Sequence, residues 1–153
     1  MSGKKIHWEV PYRSFPVDPD DRARGAFIRP CLPVSISSGA VRISTLAIVD
    51  SGADHCIFPI SFAHALGIDI LQAKAEPTCG VGSHSVPTYF WDVLLRLKVD
   101  GIQEETTRIG FTEGLEHLGF GVLGHNGFFD RYKVMFEFAK GLWMFQRMVN
   151  AEA

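Results

Sequence analysis

Asp50 closes a short apolar run, Ala47-Ile48-Val49, and is followed by Ser51-Gly52-Ala53. A carboxylate at the end of a buried strand is costly unless its charge is shared or hydrogen-bonded, so packing does not account for it. Gly52 has no Cβ, which lets backbone N–H groups and a second chain come close to the acid. Ser51 adds a hydroxyl able to bond across a symmetry axis. When two copies of the segment face each other, two Asp50 carboxyls share one proton, because both cannot ionise at close range. The ionised acid takes a proton from water, which attacks a peptide carbonyl; the protonated acid polarises that carbonyl and helps the amine leave. The chain of 153 residues carries one such segment. This chemistry therefore requires association, and a homodimer with its twofold axis between the Asp50 loops is the expected form.

The elements that must position Asp50 are mainly strands. Cys31-Leu32-Pro33-Val34-Ser35-Ile36 and Val41-Arg42-Ile43-Ser44-Thr45-Leu46 alternate around the turn Ser37-Ser38-Gly39, a hairpin pattern that runs into Ala47-Ile48-Val49. The segment Ile60 to Leu66, ended by Gly67, reads as a short helix with a glycine cap. Glu76 to Ser83 is a glycine-bearing turn between extended flanks. Val86 through Val99 is rich in aromatic and β-branched residues, Asp100-Gly101 is a hairpin turn, and a further strand is expected from Glu105 to Phe111. Gly119 to Gly124 leads into Phe128–Tyr132, expected as one or two helical turns. Residues 134–138 and 142–145 flank Ala139-Lys140-Gly141 as a closing hairpin. Many short strands with one or two short helices favour a small closed β-barrel.

Asp50-Ser51-Gly52-Ala53 after three apolar residues resembles the active-site signature of the retropepsins, the single-domain, dimeric relatives of pepsin. Three further features follow in that family's order: the helix-like segment ending Leu66-Gly67, the glycine-rich Cys79-Gly80-Val81-Gly82-Ser83, and Val122-Leu123-Gly124 followed by Phe128-Phe129 and a strand. The resemblance spans roughly residues 27 to 146. It implies an acid-protease barrel in which Asp50 is the catalytic acid, Ser51 bonds between subunits and Gly52 completes the catalytic loop. Ala53, Asp54, Cys79, Gly80, Val81 and Gly82 would bind substrate, Asp54 at the peptide backbone and the two glycines by letting a flap hairpin close. One departure stands out: the family usually carries Arg where His125 stands, paired with the acid that matches Asp54. Ala53 replaces a hydroxyl residue found in many pepsin-type enzymes. The missing bond makes the ionised acid less favoured and shifts expected activity to mildly acidic or near-neutral pH.

Composition and charge narrow the rest. The chain is 46% hydrophobic and 21% charged with a formal charge of −2, which suits one compact domain and gives no polyanion signal. The expected division is an arm over 1–25, a protease domain over 26–146 and a tail over 147–153. The arm is interrupted by Pro11, Pro16 and Pro19 and is expected to be ordered, if at all, against a partner, with Trp8 as the anchor. Cys31, Cys56 and Cys79 are far apart and odd in number, so neither a disulfide framework nor a zinc ribbon is expected. His55, His64 and His84 have no recognised metal spacing with them, and no metal or cofactor is expected. The phosphate-loop and Ser-His-Asp readings fail for want of their motifs. No secretory segment or membrane span is read, and a cytoplasmic protein acting on peptide or protein substrate is the expectation, with neither nucleic acid nor membrane as partner. The alternative is a catalytically silent barrel of the same fold, kept for dimerisation or peptide binding.

Overall fold

The computed structural model describes residues 7–80 and 84–148. Its strands in chain order are β1 (His7–Pro11), β2 (Arg13–Pro16), β3 (Ala26–Arg29), β4 (Cys31–Ser38), β5 (Val41–Val49) and β6 (Ile57–Pro59). Helix α1 (Ile60–Ala65) follows, then β7 (Lys74–Cys79), β8 (Ser85–Leu97), β9 (Gln103–Thr112), β10 (Gly121–Leu123), β11 (Tyr132–Glu137) and β12 (Leu142–Arg147).

The alternation over 31–46 forms the expected hairpin, with Ser38 opposite Val41 and Gly39 at φ 58° in the turn. Strands β4, β5, β10, β6, β9 and β8 are hydrogen-bonded in that order, and β8 returns to pair with β4, so six strands close a barrel. Closure removes the exposed edges that an open sheet would present. Side chains from the ring, among them Val34, Ile36, Ala47, Phe58, Leu95, Ile109 and Leu123, are buried in one continuous core. Strand β7 lies outside the ring, paired with the first part of β8 from Lys74↔Phe90 to Cys79↔Ser85.

Helix α1 stops where its sequence says it should. Gly67 takes φ 74°, and the Gly67 and Ile68 N–H groups donate to His64 O and Ala63 O, both at 3.0 Å. That is the glycine-capped ending in which two otherwise orphaned carbonyls are satisfied. At the other end the Glu116 carboxylate accepts from the Ser61 N–H at 2.7 Å, supplying from a distant loop the cap that Pro59 cannot.

One local expectation fails and another holds only in part. Residues 7–16 form strands, and β1 pairs antiparallel with β12 along its whole length. Trp8 is buried in its own chain, stacked on Phe145 at 4.7 Å, and its indole N–H donates to Asp100 O at 2.6 Å. It therefore anchors the strand to this chain's core. The prolines do not prevent the strands because they sit at strand ends, where a missing N–H costs no ladder bond. The expected one or two helical turns over 128–132 come to a single turn, closed by the Tyr132 N–H on Phe128 O at 2.9 Å and entered by wider turns in which the Phe129 and Asp130 N–H groups reach back five residues to Gly124 O and His125 O. Gly127 at φ 114° keeps the helical path from starting earlier.

Candidate active site

Strands β5 and β10 run parallel, Ala47 beside Gly121 and Val49 beside Leu123, and end together on Asp50 and Gly124. The Asp50 N–H continues that pairing by donating to Leu123 O at 3.0 Å. A strand buried on both sides thus delivers a carboxylate to the barrel mouth, where Asp50 is exposed. Its Oδ1 accepts from the Gly52 N–H at 2.9 Å, and the Ala53 N–H returns to Asp50 O at 3.2 Å. A Cβ on Gly52 would stand 3.3 Å from that same oxygen, a tight approach beside the acid.

The chain after the acid crosses the chain after β10. His125 N–H donates to Ala53 O at 2.8 Å and Asn126 N–H to Asp54 O at 3.0 Å, while His55 bridges Asn126 in parallel. The crossing is close because Gly124 has no side chain: a Cβ there would lie 2.4 Å from His55 O and 2.5 Å from Ala53 O. Below it the Gly124 N–H points at Cys56 Sγ, 3.5 Å away. Burial pushes the Cys56 thiol up from its ordinary value near 9 to about 11, against smaller lowering contributions from the Gly124 N–H and Arg131.

The side chains of the expected site fall into two groups. Asp50, Ser51, Gly52, Ala53 and Asp54 are brought together on the loop, joined by His125, whose ring reaches the Ser51 carbonyl and stands 3.7 Å from the Asp54 carboxylate. Asp54 is 85% exposed at its side chain, so that contact leaves most of the carboxylate open. Cys79 and Gly80 stand at the end of β7, exposed, and a Cβ on Gly80 would meet nothing within 4 Å. They are not packed on the Asp50 loop within one copy. Val81 and Gly82, with Ser83, lie outside the described residues. Farther back on β7, a hydrogen bond and ion pair with Lys74 lower the Glu76 carboxyl, with His55 and Arg108 adding smaller pulls.

Residues that sequence reasoning missed hold this arrangement from behind. His55 stands edge-on to Phe90 at 4.9 Å, with its Nδ1 3.3 Å from Asn126 Nδ2. Arg131 binds Glu105 at 2.8 Å, Thr107 Oγ1 at 2.7 Å and Gly127 O at 3.2 Å, fastening the turn after Gly124 to β9. Nothing local in the sequence marks these pairs, since each joins positions more than fifteen residues apart or depends on the path of the turn. Among the described residues no group of three or more His, Cys, Asp or Glu side chains gathers as a metal site requires.

No family model matches the sequence, and no curated protein matches it. Solved structures do. A retropepsin-like aspartic protease from Rickettsia conorii is similar over 92% of this chain and 92% of its own, at 13% identity and a TM-score of 0.57. The EIAV protease complexed with the inhibitor HBY-793 is similar over 63% of this chain and 82% of its own, at 20% identity and a TM-score of 0.42. By the first of these likenesses the chain has the retropepsin-like fold.

Proposed function

We propose that the chain is an aspartic endopeptidase that acts as a homodimer, with a water activated between two Asp50 carboxyls. The observation that carries this reading is the exposed Asp50 at the paired ends of β5 and β10, its carboxylate fixed by the Gly52 N–H with one face open. One copy presents one acid; water activation with carbonyl polarisation needs two in different protonation states. Ser51 bonds between subunits, and Gly52 keeps the loop thin enough for the second copy to approach. Substrate lies extended, its backbone bonded like an added strand, with Ala53, Asp54, Cys79, Gly80, Val81 and Gly82 as its binding residues.

In this reading residues 26–146 are the protease domain, 1–25 an arm and 147–153 a tail. The reaction needs carboxyls and water and no cofactor. It runs at mildly acidic to near-neutral pH, in the cytoplasm, on peptide or protein substrate. Among the described residues no helix is long and apolar enough to cross a membrane.

Asp50→Asn tests the reading. Cleavage of a mixed peptide library should fall by roughly 10²- to 10⁴-fold or more, with the circular dichroism spectrum and sedimentation unchanged. A wild type that cleaves nothing from acid to neutral pH and binds no statine would sink it in favour of a silent peptide-binding barrel.

A further inference from the structure

The ribbon formed by β2 and β3 carries an arrangement that its own stability does not explain. Arg13 stands directly opposite Arg29, and Phe15 opposite Phe27, so all four side chains share one face. Like charges directly opposite each other destabilise a pair of strands. Among the described residues neither guanidinium has a carboxylate partner; Asp18, in the loop that joins the two strands, is taken by Arg24 at 3.3 Å. Arg29 instead lies over the Phe27 ring at 4.7 Å and donates to Ile28 O at 3.0 Å. Both arginines are exposed, and Phe27 is 45% exposed. Phe15 tilts onto Phe120 at 5.6 Å, which seats the ribbon on the loop before β10.

Register sets this face beside the barrel mouth. Cys31 is opposite Ile48, and Pro30 O accepts from the Val49 N–H at 2.9 Å. Continuing that register brings Arg29 to the level of Asp50, with Arg13 one strand farther out. Two strand spacings are roughly 10 Å, the length of about three residues of an extended chain. Arg13 also stands close enough to the start of β4 to draw the Cys31 thiol down, against the larger upward push of burial. A peptide extended through the mouth therefore meets a cationic and aromatic face about three residues from Asp50.

We propose that this ribbon face is a docking site for an acidic segment of the substrate. Arg13 and Arg29 receive a carboxylate, and the exposed ring of Phe27 receives an apolar side chain beside it. Two cations without partners call for an anion, and a guanidinium presents paired N–H groups that match a carboxylate. The same charges repel a basic segment, so the site selects as well as binds. The docking step is independent of what Asp50 does; its effect on turnover rests on the protease reading above, whose substrate class it names.

The test uses labelled peptides that differ only in carrying Glu, Gln or Lys at successive positions. Their binding to the full chain with Asp50→Asn is read by fluorescence anisotropy, and their cleavage by wild type is measured alongside. At one position Glu should bind roughly tenfold tighter than Gln, the worth of a hydrogen bond to a charged group, with Lys weakest. Salt at about 0.5 M should remove most of that preference. Arg13→Gln and Arg29→Gln should each reduce it and the double variant abolish it, with kcat/KM for the Glu peptide falling through KM. Urea unfolding should show Arg13→Gln no less stable than wild type, because the opposed charges are relieved. Equal binding of Glu and Gln peptides at every position overturns the proposal, as does a Glu preference that survives in the double variant. A loss of dimer on sedimentation with the preference unchanged also overturns it, and assigns the arginines to contact between copies. Arginine-dependent binding without cleavage by wild type overturns the protease reading and leaves the docking site standing.

Discussion

The aromatic base of the molecule and the loop that carries Asp50 are held by opposite means. In the base, Trp8 stacks on Phe145 at 4.7 Å, Phe145 on Trp143 at 5.3 Å, and Phe128 and Tyr132 close the cluster against Phe145 at 5.8 and 5.4 Å. Side chains fill that region and burial of their surface supports it. At the loop, Asp50, Ser51, Gly52 and Asp54 are exposed, and what fixes them is chiefly backbone meeting backbone across Gly124, helped by the Gly52 N–H on Asp50 and the His125 ring on the Ser51 carbonyl. The turn from Gly124 to Tyr132 joins the two, with its first residue under the loop and its last in the cluster. A densely packed base therefore sets the direction of a loop that has almost no packing of its own.

The contrast breaks in opposite directions: the base fails when atoms are removed, the loop when one is added. Phe145→Ala should cost about 4 kcal/mol, measured by urea unfolding. Gly124→Ala should cost about 3 kcal/mol or more, because the new Cβ would overlap the carbonyl oxygens of Ala53 and His55, which cannot move without opening the crossing. A Gly124→Ala protein as stable as wild type would show that the crossing is loose and that the loop needs another support.

Cys56, at the seam between the regions, gives an intermediate effect read against pH. Its thiol keeps its proton to about 11 when folded and to about 9 when unfolded. The stability this contributes is complete below the lower value and is lost as pH rises through the higher. Unfolding free energy should drop by about 2–3 kcal/mol across that range, and Cys56→Ala should remove this dependence. The smallest effect is expected at the loop surface. Asp54→Asn should change unfolding free energy by less than about 0.5 kcal/mol, since its carboxylate is mostly in solvent. A large loss there would mean that side chains, not backbone, hold the loop.

Which of these features the sequence announces depends on the range of the interaction. The β4–β5 hairpin, the Gly67 cap and the closing hairpin were legible because each is decided within about ten residues, by alternation or by a glycine where φ is positive. Asp50 was legible because an acid after Ala47-Ile48-Val49 contradicts its surroundings. Strand β1 was hidden: Pro11 signals interruption, and only pairing with β12, more than a hundred residues away, shows that the proline falls at a strand end; β2 pairs instead with nearby β3, Pro16 opposite Ala26. The stretch after Gly124 was legible in part: one helical turn closes from Phe128 to Tyr132, whereas Gly127 packs against Cys56 and Thr107 with φ 114°. Glycine in such a string signals freedom but not the partner that uses it.

Strand β8 carries a consequence of its own. Its last residues, Leu94 to Leu97, are hydrogen-bonded on both sides, to β4 and β9, whereas its first, from Ser85, share β9 only from Thr88 onward and otherwise have β7 for company. The buried positions also change face between Phe90 and Val93. The strand is a beam clamped at one end in the barrel wall and carried out past it at the other. The strands that end at the acid loop, β5 and β10, pair with neither β7 nor the outlying part of β8, so the outer ladder and Asp50 are joined only through other strands of the ring.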